Sequence, residues 1–179
     1  GLIDSIRSFT RNKPTIDRLW MIFYWIIRYI EYDTAPYVGR KHVDKSADGV
    51  FRTRKTVADG YANLFKRLCD ELDINCEKIT GYAKVYVFDP WNKSSAPIDH
   101  SWNAVQIQQY WYLIDVTWST GHYDQNSVFK REPNWYFFLT RSNEMIYQHF
   151  PADEHWQLLK QPIKMAQYMQ MPKIWPQFF

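Results

Sequence analysis

The chain has few cysteines, and this scarcity excludes two kinds of scaffold. Cys69 and Cys76 are the two cysteines among 179 residues. They are too few for a disulfide framework, and their spacing does not match a zinc-binding pattern. We therefore expect a reduced, intracellular protein. The sequence also has no glycine-rich phosphate loop and no acidic loop of the EF-hand type, so we expect no nucleotide, calcium or other cofactor.

Long apolar runs are absent as well. The longest one, at 19–27, is bracketed by Arg18 and Arg28 and is too short to span a bilayer. The first residues lack the basic and apolar regions of a signal peptide. These features predict a cytoplasmic protein without membrane insertion. Because the chain begins with Gly1 rather than Met, we also expect it to be a piece of a longer protein.

The charge is nearly balanced, at a formal +3, and no run of Lys and Arg stands out. Nucleic acid is therefore not an expected partner. Four of the five histidines have no second histidine at the helical spacing of metal ligands. We interpret these four as surface or capping residues and expect no metal site: His42, His122, His149 and His155.

Aromatic residues are abundant, at 18% of the chain. Together with aliphatic residues they recur at helical spacing between Pro14 and Tyr32, which predicts a long, mostly buried helix with Thr15 as its N-cap. A polar stretch at 33–48 follows and is predicted to be a loop, because it contains proline and glycine. A second helix is predicted to begin near Val57. Its apolar face comprises Tyr61, Leu64, Phe65, Leu68, Cys69 and Leu72.

Strands are predicted after the second helix. They lie at 76–87, 100–107, 110–117 and 135–140, with a loop at 89–99 and a tail at 152–179 that wraps the domain. If the turn between the second and third strands has two residues, His100 lies opposite Thr117 and Asp115 is its diagonal neighbour. Diagonal Cβ atoms are about 7 Å apart, so the carboxylate can reach the imidazole and fix its tautomer. On spacing alone, an ordinary cross-strand pair is the simpler interpretation.

The start of the second helix is a suitable place for a nucleophile. Thr56 is positioned to cap this helix, and Asp59 suits the positive end of its dipole. Backbone N–H groups there would activate a cysteine as thiolate and hold an oxyanion. Residue 58, however, is alanine, and its methyl group cannot attack a carbonyl carbon. Four other candidates do not replace the missing thiol. Cys69 is interpreted as a core residue, and Asp59 as a cap of the helix. Cys76 has no base placed for it, and Ser101 points to the strand face opposite to that of His100.

Three separated motifs resemble those of transglutaminase-like domains in the papain-like superfamily. The segment 56–62 resembles a Cys-x-Gly-Tyr-Ala motif that opens a helix. The segment 100–105 resembles a His-x-Trp-Asn-x-Val motif that opens a strand, and 115–118 resembles an Asp-x-Thr-Trp motif that closes the next strand. The similarity runs from about Asp48 to about Leu159 and is typical of the branch that contains kyphoscoliosis peptidase and hillarin.

The resemblance implies an α+β fold in which a nucleophile-bearing helix packs on an antiparallel sheet. We expect one domain over 1–179, with an N-terminal helix and loop at 1–47, a motif-bearing core at 48–120 and a C-terminal strand and tail at 121–179. The resemblance also implies three roles. His100 aligns with the general base, Asp115 with the group that orients it, and Ala58 with the nucleophilic cysteine.

The activity that the resemblance implies is cysteine-dependent acyl transfer or hydrolysis. The substrate would be a protein or peptide with Gln, Asn or a scissile peptide bond. Trp102 and Trp118 flank the two strands and would either wall the substrate cleft or pack in the core. With Ala58 we expect no covalent turnover. Either the cysteine was replaced deliberately, which we favour because His100 and Asp115 are retained, or the protein is a natural pseudoenzyme that binds a peptide or protein in a cytoskeletal or scaffolding role.

Overall fold

The computed structural model describes residues 2–34, 43–84, 98–126, 128–174 and 176–179. Within these ranges the α-helices are α1 (Leu2–Thr10), α2 (Thr15–Tyr29), α3 (Ala47–Thr53), α4 (Ala58–Asp70), α5 (Val116–Thr120), α6 (Ser142–Met145) and α7 (Met165–Gln170). The strands are β1 (Glu31–Tyr32), β2 (Lys55–Thr56), β3 (Cys76–Ala83), β4 (His100–Ile107), β5 (Tyr110–Ile114), β6 (His122–Tyr123), β7 (Phe129–Lys130) and β8 (His149–Pro151). Short 3-10 helices cover Trp135–Phe137, Glu154–Gln157 and Pro176–Phe178.

The main sheet has the strand order β5-β4-β3-β8, and every neighbouring pair in it is antiparallel. Helix α4 lies against β3 and β4. Two further sheets have two strands each: β1 pairs with β2 in parallel, and β6 pairs with β7 antiparallel. The predicted α+β architecture, with the motif-bearing helix packed on an antiparallel sheet, is confirmed.

Helices α2 and α4 build the main core. Both have apolar residues at helical spacing on one face, and those faces are buried against each other and against the sheet. The two predicted helices are therefore confirmed. The N-cap of α2 is Pro14 rather than Thr15, so the predicted cap was wrong. Among the described residues, no helix is long and apolar enough to cross a membrane.

The β4–β5 hairpin has the predicted two-residue turn at Gln108-Gln109. Asn103 pairs with Ile114 and Ile107 with Tyr110, which is the register that the sequence indicated. Strand β5 ends at Ile114, however, so the predicted strand at 110–117 was too long. It ends there because Asp115 caps α5: its Oδ1 accepts a hydrogen bond from the backbone N–H of Trp118 at 3.0 Å.

Other predictions were wrong for similar local reasons. The segment 135–140 is not a strand, because the side chain of Asn134 accepts from the N–H of Tyr136 and begins a 3-10 helix. Part of the stretch interpreted as a loop forms α3, which Ser46 caps through the N–H of Gly49 at 3.1 Å. Helix α1 was not predicted. The residues at 35–42 and 85–97, which include most of the loop at 89–99, lie outside the described ranges.

Candidate active site

Helix α4 begins at Ala58 without a side-chain cap. Thr56, the predicted cap, does not cap this helix, because its buried hydroxyl has no hydrogen-bond partner among the described residues. The carbonyl of Val57 accepts the N–H groups of Gly60 at 2.9 Å and Tyr61 at 3.2 Å. Within the described part of the chain, the N–H of Ala58 has no acceptor. An uncapped helix start of this kind can donate to an anionic oxygen.

Close packing fixes the position of this helix start. A Cβ atom added at Gly60 would lie 1.9 Å from Oγ1 of Thr56, so only glycine fits beside β2. Asp59 does not cap the helix. Its Oδ1 pairs with Nζ of Lys78 on β3 at 2.5 Å and accepts from Oγ of Ser101 on β4 at 3.1 Å. These contacts attach the first turn of α4 to the two central strands of the sheet.

His100 and Asp115 form a buried pair at the neighbouring end of the hairpin. Nε2 of His100 lies 2.6 Å from Oδ2 of Asp115, and the two residues are 7% and 0% exposed. Burial alone would raise the pKa of Asp115, but its interactions with His100 and His149 outweigh this effect and hold that pKa well below its ordinary value. The carboxylate is therefore ionised, and Nε2 of His100 carries the proton. Nδ1 is left as the nitrogen that can exchange a proton with a substrate.

Ala58 and His100 line the same cavity, which has a volume of about 290 Å³. His100 also lines a second cavity of about 240 Å³, on the side of Trp118, Tyr123 and Phe129. The ring of Trp118 lies 5.4 Å from that of His100, is partly exposed and lines this second cavity. Trp102 stacks on His100 at 5.9 Å but is 1% exposed, so it supports the imidazole from the core.

A second histidine contacts the same carboxylate, and the sequence did not predict it. Nε2 of His149 lies 2.7 Å from Oδ2 of Asp115. His149 is 1% exposed, so its interpretation as a surface or capping residue was wrong. The antiparallel pairing of β8 with β3, which sets His149 opposite Ala83, brings it to the site. No local spacing could have revealed this contact, because it joins residues that are far apart in the chain.

The same three side chains also have the composition of a metal site. Among the described residues, His100, Asp115 and His149 form a group whose potential ligand atoms all lie within 4.8 Å of one another. The separations of 2.6 and 2.7 Å to the shared oxygen are, however, hydrogen-bond lengths. A metal ion would have to displace both protons. We therefore assign the cluster to hydrogen bonding between two imidazoles and one carboxylate.

The burial of His149 predicts a dependence of stability on pH. Burial lowers its pKa, and although Asp115 and Asp99 oppose this while His100 adds to it, the net shift is downward. As the pH falls below about 6.5, the unfolded chain therefore gains a proton that the folded chain does not take up, and stability is lost. We expect the free energy of unfolding in urea to fall more steeply from pH 7.5 to pH 5.5 in the parent than in His149→Gln. Equal slopes would contradict this assignment.

Comparison with known proteins identifies relatives over most of the chain. The sequence model that describes the transglutaminase-like superfamily matches residues 6–116. Human kyphoscoliosis peptidase is 36% identical over 94% of the chain, and hillarin of Drosophila melanogaster is 29% identical over 98%. Cytokinesis protein 3 of Schizosaccharomyces pombe is 29% identical over 66%. The chain spans 26%, 23% and 13% of these three relatives, so it corresponds to one part of each of them.

Proposed function

Because the chain belongs to the transglutaminase-like superfamily, we propose that it carries the site of a cysteine-dependent acyl transferase or amidase in which Ala58 occupies the nucleophile's position. One observation supports this assignment best. Ala58, at the uncapped start of α4, shares a cavity with His100, whose Nε2 is held by an ionised Asp115. The arrangement has a general base, an orienting carboxylate and a free N–H donor around a single residue position.

The mechanism follows from these three parts when residue 58 is cysteine. The thiol of residue 58 first passes its proton to Nδ1 of His100. The thiolate sulfur then bonds to the carbonyl carbon of a Gln or Asn side chain or of a peptide bond, and the N–H of residue 58 donates to the oxyanion. Nδ1 of His100 then gives its proton to the leaving nitrogen as the C–N bond breaks, which leaves a thioester. An amine or water next transfers a proton to Nδ1 and attacks the thioester, and the C–S bond breaks. With Ala58 no thioester can form, so the chain turns over no substrate.

A product assay on the Ala58→Cys variant tests this proposal. The variant is incubated with a Gln-rich protein and a fluorescent primary amine, and three products are measured: ammonia, protein-bound amine and newly cleaved peptide bonds. We expect at least one product in the variant and none above background in the parent. The double variant Ala58→Cys/His100→Gln is the matched control. It should lose activity by about 10³-fold or more, because acyl transfer depends on the base. Equal activity in the two variants would refute the assignment.

A second candidate function is a binding module in the cytoplasm, associated with the cytoskeleton. Ala58 itself favours it, because a pseudoenzyme keeps the cleft without the thiol. The name of the fission yeast relative, cytokinesis protein 3, points in the same direction. The codon for residue 58 in the natural gene separates the two functions. Cysteine there supports the enzyme, and alanine supports the module. In either case the partner we propose is a protein or peptide rather than nucleic acid.

A further inference from the structure

We propose that His149 is a positioning residue of this site, which holds Asp115 in place and limits how strongly that carboxylate attracts the proton of His100. The inference rests on the proposed function, because the side chain that Asp115 orients is the proposed general base. It starts from one contact: both imidazoles direct Nε2 at the same oxygen, Oδ2 of Asp115, at 2.6 and 2.7 Å.

The protons of this cluster can be placed from its charges. An ionised carboxylate only accepts hydrogen bonds, so both Nε2 atoms must be protonated. The other acceptor oxygen, Oδ1, takes the backbone N–H of Trp118 at 3.0 Å. Nδ1 of His149 is buried and has no hydrogen-bond partner among the described residues. A bare lone pair there is consistent with a neutral ring, since a second N–H would be an unsatisfied buried donor.

Packing leaves His149 little freedom to move. Its ring lies 4.5 Å from Trp118, 5.0 Å from Trp102 and 5.2 Å from His100, and Phe137 is 6.1 Å away. Strand β8 fixes its backbone through pairing with β3. A neutral N–H donor held in this way lowers the proton affinity of the carboxylate it faces, whereas a protonated ring would add a full charge. His149 therefore shares the charge of Asp115 with His100 and weakens the attraction that His100 experiences.

The role predicts a change in the hydrogen bond from His100 to Asp115. In His149→Phe, Oδ2 of Asp115 loses one of its two imidazole donors, so the remaining bond from Nε2–H of His100 becomes stronger. The ¹H resonance of that Nε2 proton, followed by imidazole NMR, should move downfield relative to the parent. Rescue is expected with His149→Gln, because its Nε2 lies the same number of bonds from Cα and can restore the donor.

A side chain that merely fills space would give another result. Phe and Gln would then either leave the Nε2 proton resonance of His100 in place or shift it equally, and either outcome overturns the proposal. Among the described residues, the charged and titratable groups that act most on His149 are Asp115, His100 and Asp99, and all three are unchanged in both variants. The comparison of Phe with Gln therefore isolates the donor.

A second measurement needs no substitution at His149. Imidazole ¹⁵N NMR of the parent chain should show His149 as the neutral Nε2–H tautomer at pH 7 to 8. Observation of the Nδ1–H tautomer, or of a protonated ring within this range, would overturn the proposal even if the Phe variant fails to fold.

The failure of this proposal can be distinguished from the failure of the proposed function. Both NMR measurements use the Ala58 chain and require no nucleophile. An ordinary alkylation profile for a thiol introduced at position 58 would refute the acyl-transfer site, and it would leave the tautomer of His149 and the Nε2 proton resonance of His100 to be decided by NMR.

Discussion

A thiol introduced by Ala58→Cys is expected to react with iodoacetamide at a nearly constant rate between about pH 6 and pH 8.5. An ordinary cysteine, with a pKa near 8.5, gains more than about 100-fold in thiolate over the same range. At position 58 the thiol can pass its proton to Nδ1 of His100, and the start of α4 favours the negative sulfur. The thiolate should then be formed throughout the range, and its rate should vary by less than about 3-fold.

The profile is more informative than the rate at a single pH. A thiolate of low pKa is also a weaker nucleophile, so its gain in ionised fraction is partly offset. Peptide mass spectrometry should follow each cysteine separately. Cys69 and Cys76 are buried, and burial raises the pKa of Cys69, so both should stay unmodified in the folded chain. The control is Ala58→Cys/His100→Gln, in which Gln can still donate to Asp115 but cannot act as base. Its rate should rise steeply with pH.

Replacement of Asp115 by alanine is expected to destabilise the fold by about 3–5 kcal/mol, because three donors lose their fully buried acceptor at once. The two imidazoles and the N–H of Trp118 would be left without their partner. For a chain of this size the loss corresponds to a decrease in melting temperature of roughly 6–20 °C. Asp70→Ala is the matched control. Its carboxylate is about half exposed and pairs with Lys66 on the same helix, so the change should cost no more than about 0.5 kcal/mol.

The stability from Asp115 should also depend on pH in a defined direction. The folded pKa lies below the unfolded value of about 3.9, so this stability is complete above that value and is lost as the pH falls through the folded pKa. The difference between the parent and Asp115→Ala should therefore shrink below about pH 4. A loss of less than about 1 kcal/mol at neutral pH would show that the three hydrogen bonds do not hold this corner of the fold together.

The sequence predicted the His100–Asp115 pair because local rules determine it. The two residues are separated by one hairpin, and a two-residue turn fixes which side chains share a face. Local rules also predicted the start of α4, because the apolar residues at helical spacing begin shortly after position 58. The same rules predicted the wrong end for the strand at 110–117, because Asp115 caps α5 and the strand therefore ends before Thr117. A side chain that serves both as cap and as partner of His100 is not distinguishable from a strand residue by alternation alone.

His149 could not be predicted in this way. Its contact with Asp115 joins β8 to the end of the hairpin across the sheet, and no turn or helix of fixed length links the two. Trp102 and Trp118 show the same limit. Both lie close to a motif residue in the sequence. Trp102 is nevertheless buried behind His100, whereas Trp118 lines the second cavity beside His100. Side chains that meet through non-local pairing depend on the whole sheet, whereas the motif residues depend on one turn and one helix start.

The central claim is that the residue at 58 faces an imidazole held by a carboxylate, and a proton–proton contact tests it most directly. With ¹³C-methyl alanine and ¹³C-labelled histidine in the chain, we expect an NOE between the methyl group of Ala58 and the Hε1 proton of His100, which adjoins Nδ1. The assignment of the methyl signal is checked by its loss in Ala58→Gly. A complete NOE network for His100 that includes Trp102 and Trp118 but lacks this methyl group would contradict the account.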